Sequence, residues 1–122
     1  MSKDQSKSSD ILVIYDHDPL NGMSRDAYID LLKQRLKGRV EKAYFFGSFT
    51  GPYFNKESDI DIILIKNTDV PFIRRALEFE DVLDIVPDTD ILVYTTDEFE
   101  GLTSHPTTGF WRSVTGSMVR FI

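Results

Sequence analysis

The segment Ile60-Asp-Ile-Ile-Leu-Ile65 constrains the fold more than any other stretch of this chain. Isoleucine and leucine stand on both faces of a pleat there, so the segment reads as a strand that needs cover on both sides. Its neighbours supply that cover. Tyr28, Leu31, Leu32 and Leu36 recur at helical spacing between a candidate N-cap, Ser24, and a candidate stop, Gly38. Val40 to Phe46 reads as a strand ending at Gly47, and Asp90-Ile-Leu-Val-Tyr94 as a third strand. Between the second and third strands, Pro71 suits a first helical position. Phe72, Ile73, Ala76, Leu77, Glu80 and Leu83 then predict one helix with a mostly apolar side. Thr95-x-x-Glu98 has the form of a capping box for a helix through Leu102. A helix near Phe110 to Val114 and a short strand at Met118 to Ile122 close the chain. The alternation predicts an α/β (α+β) sheet covered by helices.

Composition narrows the function. The chain has 122 residues, 41% of them hydrophobic, enough for one core, and the expected organisation is a single domain over 11–122. Residues 1–10, rich in Ser, Lys and Asp, are expected to be disordered. Ile11-Leu-Val-Ile-Tyr15 is too short to settle between strand and helix, and too short for a membrane span or leader; the expectation is a soluble, cytoplasmic protein. Cysteine is absent, which excludes thiolate metal sites and a Cys nucleophile. A net charge of −6 argues against an extended nucleic-acid surface. Asp16 to Gly22 tempts one toward a calcium loop, but Leu20 and Ala27 fall where ligands belong, so the stretch reads as a turn. His17 and His105 read as loop residues, Trp111 with Phe110 as core or interface, and Tyr53-Phe54 as a partner contact.

The chemistry lies between Phe46 and Ile62. Asp59 and Asp61 are two apart at a strand entry, so they project from one face. Like charges about 4–6 Å apart repel by a few kcal/mol at an effective dielectric near 20, which calls for a proton or a cation. Carboxylate oxygens of this kind suit Mg²⁺ or Mn²⁺. Read bare, the pair better fits two carboxylates in water at a strand mouth that bind nothing. Gly47-Ser48, after a strand, offers close backbone approach and a hydroxyl to a phosphate. Asp90 heads another apolar strand and completes a candidate trio; Asp88 is its rival within a Pro87-Asp88-Thr89 turn.

Gly-Ser, ten residues, Asp-x-Asp and a later strand-opening Asp resemble the nucleotidyltransferase superfamily typified by DNA polymerase β, and within it the small minimal nucleotidyltransferases. The resemblance implies a nucleotidyltransferase fold with a small mixed sheet. It implies that Gly47 and Ser48 hold the phosphates of ATP or another nucleoside triphosphate. Asp59, Asp61 and Asp90 would hold two Mg²⁺ ions, and Asp90 would accept the proton of an acceptor hydroxyl. It also implies a HEPN-domain partner protein, the toxin of a toxin–antitoxin pair, as acceptor. The sequence departs from the family at Phe49-Thr50-Gly51-Pro52, where relatives carry basic residues after Gly-Ser; Lys56 is the basic residue nearby that would substitute. That departure is what favours the rival reading, a catalytically inactive module that binds and neutralises a partner. A nuclease of the Asp…Glu-x-Lys type is disfavoured because Leu64 occupies the acid's place before Lys66.

Overall fold

The computed structural model describes residues 18–122. The expectations for residues 1–10, for Ile11–Tyr15 and for His17 lie outside the described residues. From Asp18 the chain makes the expected turn: the Asp18 carboxylate accepts from the Leu20 and Gly22 amides at 2.9 and 2.7 Å. Helix α1 (Arg25–Leu36) follows, with the Ser24 hydroxyl accepting from the Ala27 amide at 3.1 Å. Then come β1 (Lys42–Phe46), a 3₁₀ turn (Gly47–Thr50) and β2 (Ile60–Ile65). The crossover holds α2 (Phe72–Arg75), a second 3₁₀ turn (Ala76–Phe79) and α3 (Glu80–Leu83). Strand β3 (Thr89–Tyr94), α4 (Thr96–Ser104), α5 (Gly109–Ser117) and β4 (Val119–Arg120) complete it.

The strands lie in the order β3-β2-β1-β4, with β2 parallel to β3 and β1 antiparallel to both β2 and β4. This is the small mixed α+β sheet expected, and β2 is interior to it. Alternation along β2 sends Ile60, Ile62 and Leu64 to one face, where Tyr28, Leu32 and Leu36 of α1 meet Phe79 and Val82. Ile63 and Ile65 go to the other face, under Phe99 of α4 and Trp111 and Val114 of α5. Each large aliphatic side chain buried this way contributes about 1.5–3 kcal/mol. The expected capping box on α4 is present in both directions: Thr95 accepts from the Glu98 amide and Glu98 from the Thr95 amide.

The crossover differs from expectation. It is not one helix, and its buried side chains are Arg75, Phe79 and Val82, while Ile73 is 87% and Leu77 62% exposed. The reason is Arg75. Its guanidinium donates to the Val93 carbonyl at 3.1 Å and to both carboxylate oxygens of Glu98 at 2.6 and 3.2 Å, and its Nε to the Val70 carbonyl at 2.7 Å. A paired arginine with four of its five donors engaged takes an inward position that apolar periodicity assigns to Ile73 or Leu77.

Arg75 and then the Thr95 amide hold the Glu98 carboxyl at about 2, below its ordinary 4.5. A depressed carboxyl stabilises the fold above about 4.5 and loses that contribution as pH falls toward about 2. Solvent reaches Glu98, so screening trims the effect. The unfolding midpoint of the wild type is therefore expected to fall between these pH values more steeply than that of Glu98→Gln, as followed by circular dichroism. Parallel curves would remove the pair from the account.

Candidate active site

One row of residues across the sheet builds the site. Phe46, the last residue of β1, pairs with Asp61, and Asp61 pairs with Asp90 on the other side. Register partners point to the same face, so both carboxylates emerge between strands about 4.8 Å apart, on the face that α4 and α5 cover. There Phe46, Asp61, Asp90, Leu92 and Phe110 line a cavity of about 360 Å³. The sequence put Asp61 in that place because β2 begins one residue earlier, with Ile60 turned to the opposite core. Asp59 precedes the strand, exposed, and is not among the residues lining the cavity. Asp88 stands in a left-handed turn at φ +56°, its carbonyl accepting from the Ile60 amide at 2.9 Å. Asp90 is the member of that pair which shares the row with Asp61.

Gly47 follows directly at the end of β1 with φ +74°, a conformation that favours glycine. A Cβ built there would lie 2.8 Å from Oδ2 of Asp61. The missing side chain is thus the space that the Asp61 carboxylate uses. The Gly47 amide donates to the Ser117 hydroxyl at 3.0 Å, tying the turn to the end of α5. Within the turn, the Thr50 hydroxyl donates to the Gly47 carbonyl at 2.8 Å and the Gly51 amide to the Ser48 carbonyl at 3.1 Å. Pro52 follows, so the helical start is limited to a single turn. Arg25 of α1 braces it from behind: its guanidinium lies 4.2 Å from the centre of the Phe49 ring and donates to the Phe49 carbonyl. Lys56 is exposed in the loop that follows.

Burial first, then Asp90 and Asp59, push the Asp61 carboxyl above its ordinary value. Asp59 thus influences Asp61 electrostatically although it does not line the cavity. Among the described residues no three acidic or histidine side chains converge tightly enough to form a ligand set by themselves. The donor chemistry still suits a divalent cation: hard oxygens whose mutual repulsion a positive ion relieves. Three contributors lay outside sequence reasoning. Ser117 reaches Gly47 across 70 residues, Arg25 reaches the turn from α1, and Phe110, half exposed, forms one wall of the cavity. No spacing signal links them; only the fold does. Trp111, by contrast, is buried in the second core as a residue of that kind should be.

The family model described as a nucleotidyltransferase domain matches residues 25–107, from α1 past the end of α4. That range includes Gly47, Ser48, Asp59, Asp61 and Asp90. A Methanocaldococcus jannaschii protein provisionally named a protein adenylyltransferase is 33% identical over 46 residues, 38% of this chain and 46% of that protein. The matched stretch spans less than half the length of that relative. No helix among the described residues is long and apolar enough to cross a membrane.

Two substitutions test the geometry without any substrate. Gly47→Ala forces an L side chain into a left-handed conformation and against Asp61. It should cost about 1–2 kcal/mol in urea unfolding. Asp61→Asn removes a half-buried charge from beside two others, so in chelator at neutral pH it should unfold no earlier than the wild type. A marked loss of stability in Asp61→Asn would mean the carboxylate is held by a partner the geometry does not contain.

Proposed function

Because the chain belongs to the nucleotidyltransferase domain family, we propose that it transfers a nucleoside monophosphate, AMP from ATP, to a hydroxyl group on a partner protein. The row Phe46–Asp61–Asp90 beside Gly47 is the observation that carries this reading. It brings two carboxylates to the mouth of a cavity next to a turn with no side chain in the way.

In this reading Gly47 and Ser48 receive the triphosphate. The Gly47 amide is engaged by Ser117, so the contact from that residue is close approach rather than donation. Ser48 supplies donation, since its hydroxyl meets no described residue. Asp61 and Asp90 would hold Mg²⁺, with Asp59 added from the loop end to make room for two ions; Mn²⁺ has the same ligand preference. The ions supply neutralisation of triphosphate charge and of the displaced pyrophosphate. Asp90, the outer carboxylate of the row, takes the proton of the acceptor hydroxyl as its oxygen bonds the α-phosphorus. The bond from the α-phosphorus to the bridging oxygen breaks, and pyrophosphate leaves with that oxygen. Phe46 and Phe110, ring centres 6.1 Å apart and edge to face, keep one wall of the site apolar and strengthen the charge interactions beside them.

A protein acceptor agrees with the acidic charge of the chain and with the name of the relative. The family resemblance names a HEPN-domain toxin as the partner. A second reading, an inactive module that neutralises its partner by binding, is favoured by one observation. The turn after Gly47 carries Phe49-Thr50-Gly51-Pro52 in place of basic residues.

Label transfer separates the two. Wild-type protein with Mg²⁺ and ATP labelled on the α-phosphate should mark a discrete acceptor, in source lysate and in a purified HEPN-domain partner. Asp59→Asn and Asp61→Asn should each lower the rate by at least about 100-fold. Equal labelling by Asp61→Asn would overturn the assignment, and no labelling of a bound partner would leave the module.

A further inference from the structure

Beyond the catalytic cavity, the same face of the sheet carries an apolar groove with no part in the chemistry. Phe72, Tyr94, Leu102 and Trp111 line it, and its charged lining is the acidic pair Asp97 and Glu98, in a cavity of about 590 Å³. Phe72 is 42% exposed and lies against Tyr94 with ring centres 5.1 Å apart. Phe72 comes from the crossover, where Val70, Ile73 and Leu77 are also exposed. This is the apolar side that Arg75 displaced from the core. Apolar grooves of this kind mark interaction sites.

Two features say what covers it. The first is charge: the chain carries net charge −6, and of the two carboxylates in the lining Glu98 is already paired with Arg75, which leaves Asp97 as the one that meets a basic partner. The second is continuity. Asp90, Leu92 and Tyr94 alternate onto one face of β3, so the groove at Tyr94 lies about 13 Å along the strand from Asp90. Phe110 lines the catalytic cavity and Trp111 the groove, adjacent on α5 with rings 5.4 Å apart.

We propose that this groove is the docking site for the acceptor protein, taking a segment that presents a bulky apolar side chain flanked by Lys or Arg. Docking there sets an acceptor hydroxyl one short reach from Asp90. The inference rests on the transferase reading for what is docked, but the binding is separable from the chemistry. Specificity then resides in the groove, and the cavity around Asp61 needs only to admit a hydroxyl.

Trp111 is the one tryptophan of the chain and lines the groove, so its emission reports occupancy. The probe is a short amphipathic peptide of leucine and lysine, with a leucine–glutamate peptide of equal length as control. The lysine peptide should bind saturably with a blue shift of Trp111 emission, and the glutamate peptide should not. Asp97→Lys should weaken binding about fivefold and Phe72→Ala about tenfold. Asp30→Lys, the same charge change on α1 across the sheet, should leave it unchanged, as should Asp61→Asn. Circular dichroism confirms that each variant is folded. Equal binding of both peptides, or indifference to Asp97→Lys and Phe72→Ala, overturns the proposal. So does a dimer in sedimentation equilibrium that Phe72→Ala dissolves, because the groove then belongs to a second copy. Label transfer without selective peptide binding removes the groove and keeps the enzyme. Selective peptide binding without transfer removes the enzyme and keeps the groove.

Discussion

Asp61 is an ionisable side chain on the strand that the protein buries most completely, and the site is arranged around that conflict. Ile60, Ile62, Ile63 and Leu64 have no solvent exposure, yet the residue among them carries a charge that burial and two further carboxylates oppose. Gly47 makes room for it by having no side chain, and the register sets Asp90 beside it. A chain selected for stability alone would place valine at position 61. Aspartate there, with its carboxyl pushed above the ordinary range, is what the proposed cation site would account for.

The two layers that hold this site are tied by another charged residue. Arg75 passes the outer edge of β3 from the crossover to α4, using its donors on Val70, Val93 and Glu98. The even-numbered residues of β3 face β2, as the bonds to the Asp88 and Tyr94 carbonyls require, so Val93 is on the open edge. Its carbonyl is closed off by Arg75, which guards that edge against pairing with another strand. The cost is visible on the surface: Ile73 and Leu77 are left outside. Stability of the layers and exposure of an apolar stripe are thus two results of one side chain.

These relations set the limits of legibility. The strand at Ile60–Ile65, the capping box at Thr95 and Glu98, and the α+β class were readable because each is a local pattern. The candidate carboxylates were readable for the same reason, since two aspartates at the head of an apolar run violate strand preference. The crossover was misread because hydrophobic periodicity has no term for an arginine whose charge is met by carbonyls and a carboxylate far along the chain. Ser117, Arg25 and Phe110 were invisible because they reach the site through tertiary contacts, and nothing in their own neighbourhoods marks them. The candidate carboxylates fall within the range that the family model matches, and the fold sets Asp61 beside Asp90.

The central claim is that Asp61 and Asp90, with Asp59, form one cation site beside Gly47. Paramagnetic line broadening by Mn²⁺ tests it directly, read on backbone amides in the presence of a non-hydrolysable ATP analogue. The account predicts broadening centred on Gly47, Ser48, Asp61 and Asp90, extending to Asp59, and abolished in Asp61→Asn. Broadening centred elsewhere, on the exposed carboxylates of α3 or α4 for instance, or unchanged in Asp61→Asn, would contradict it.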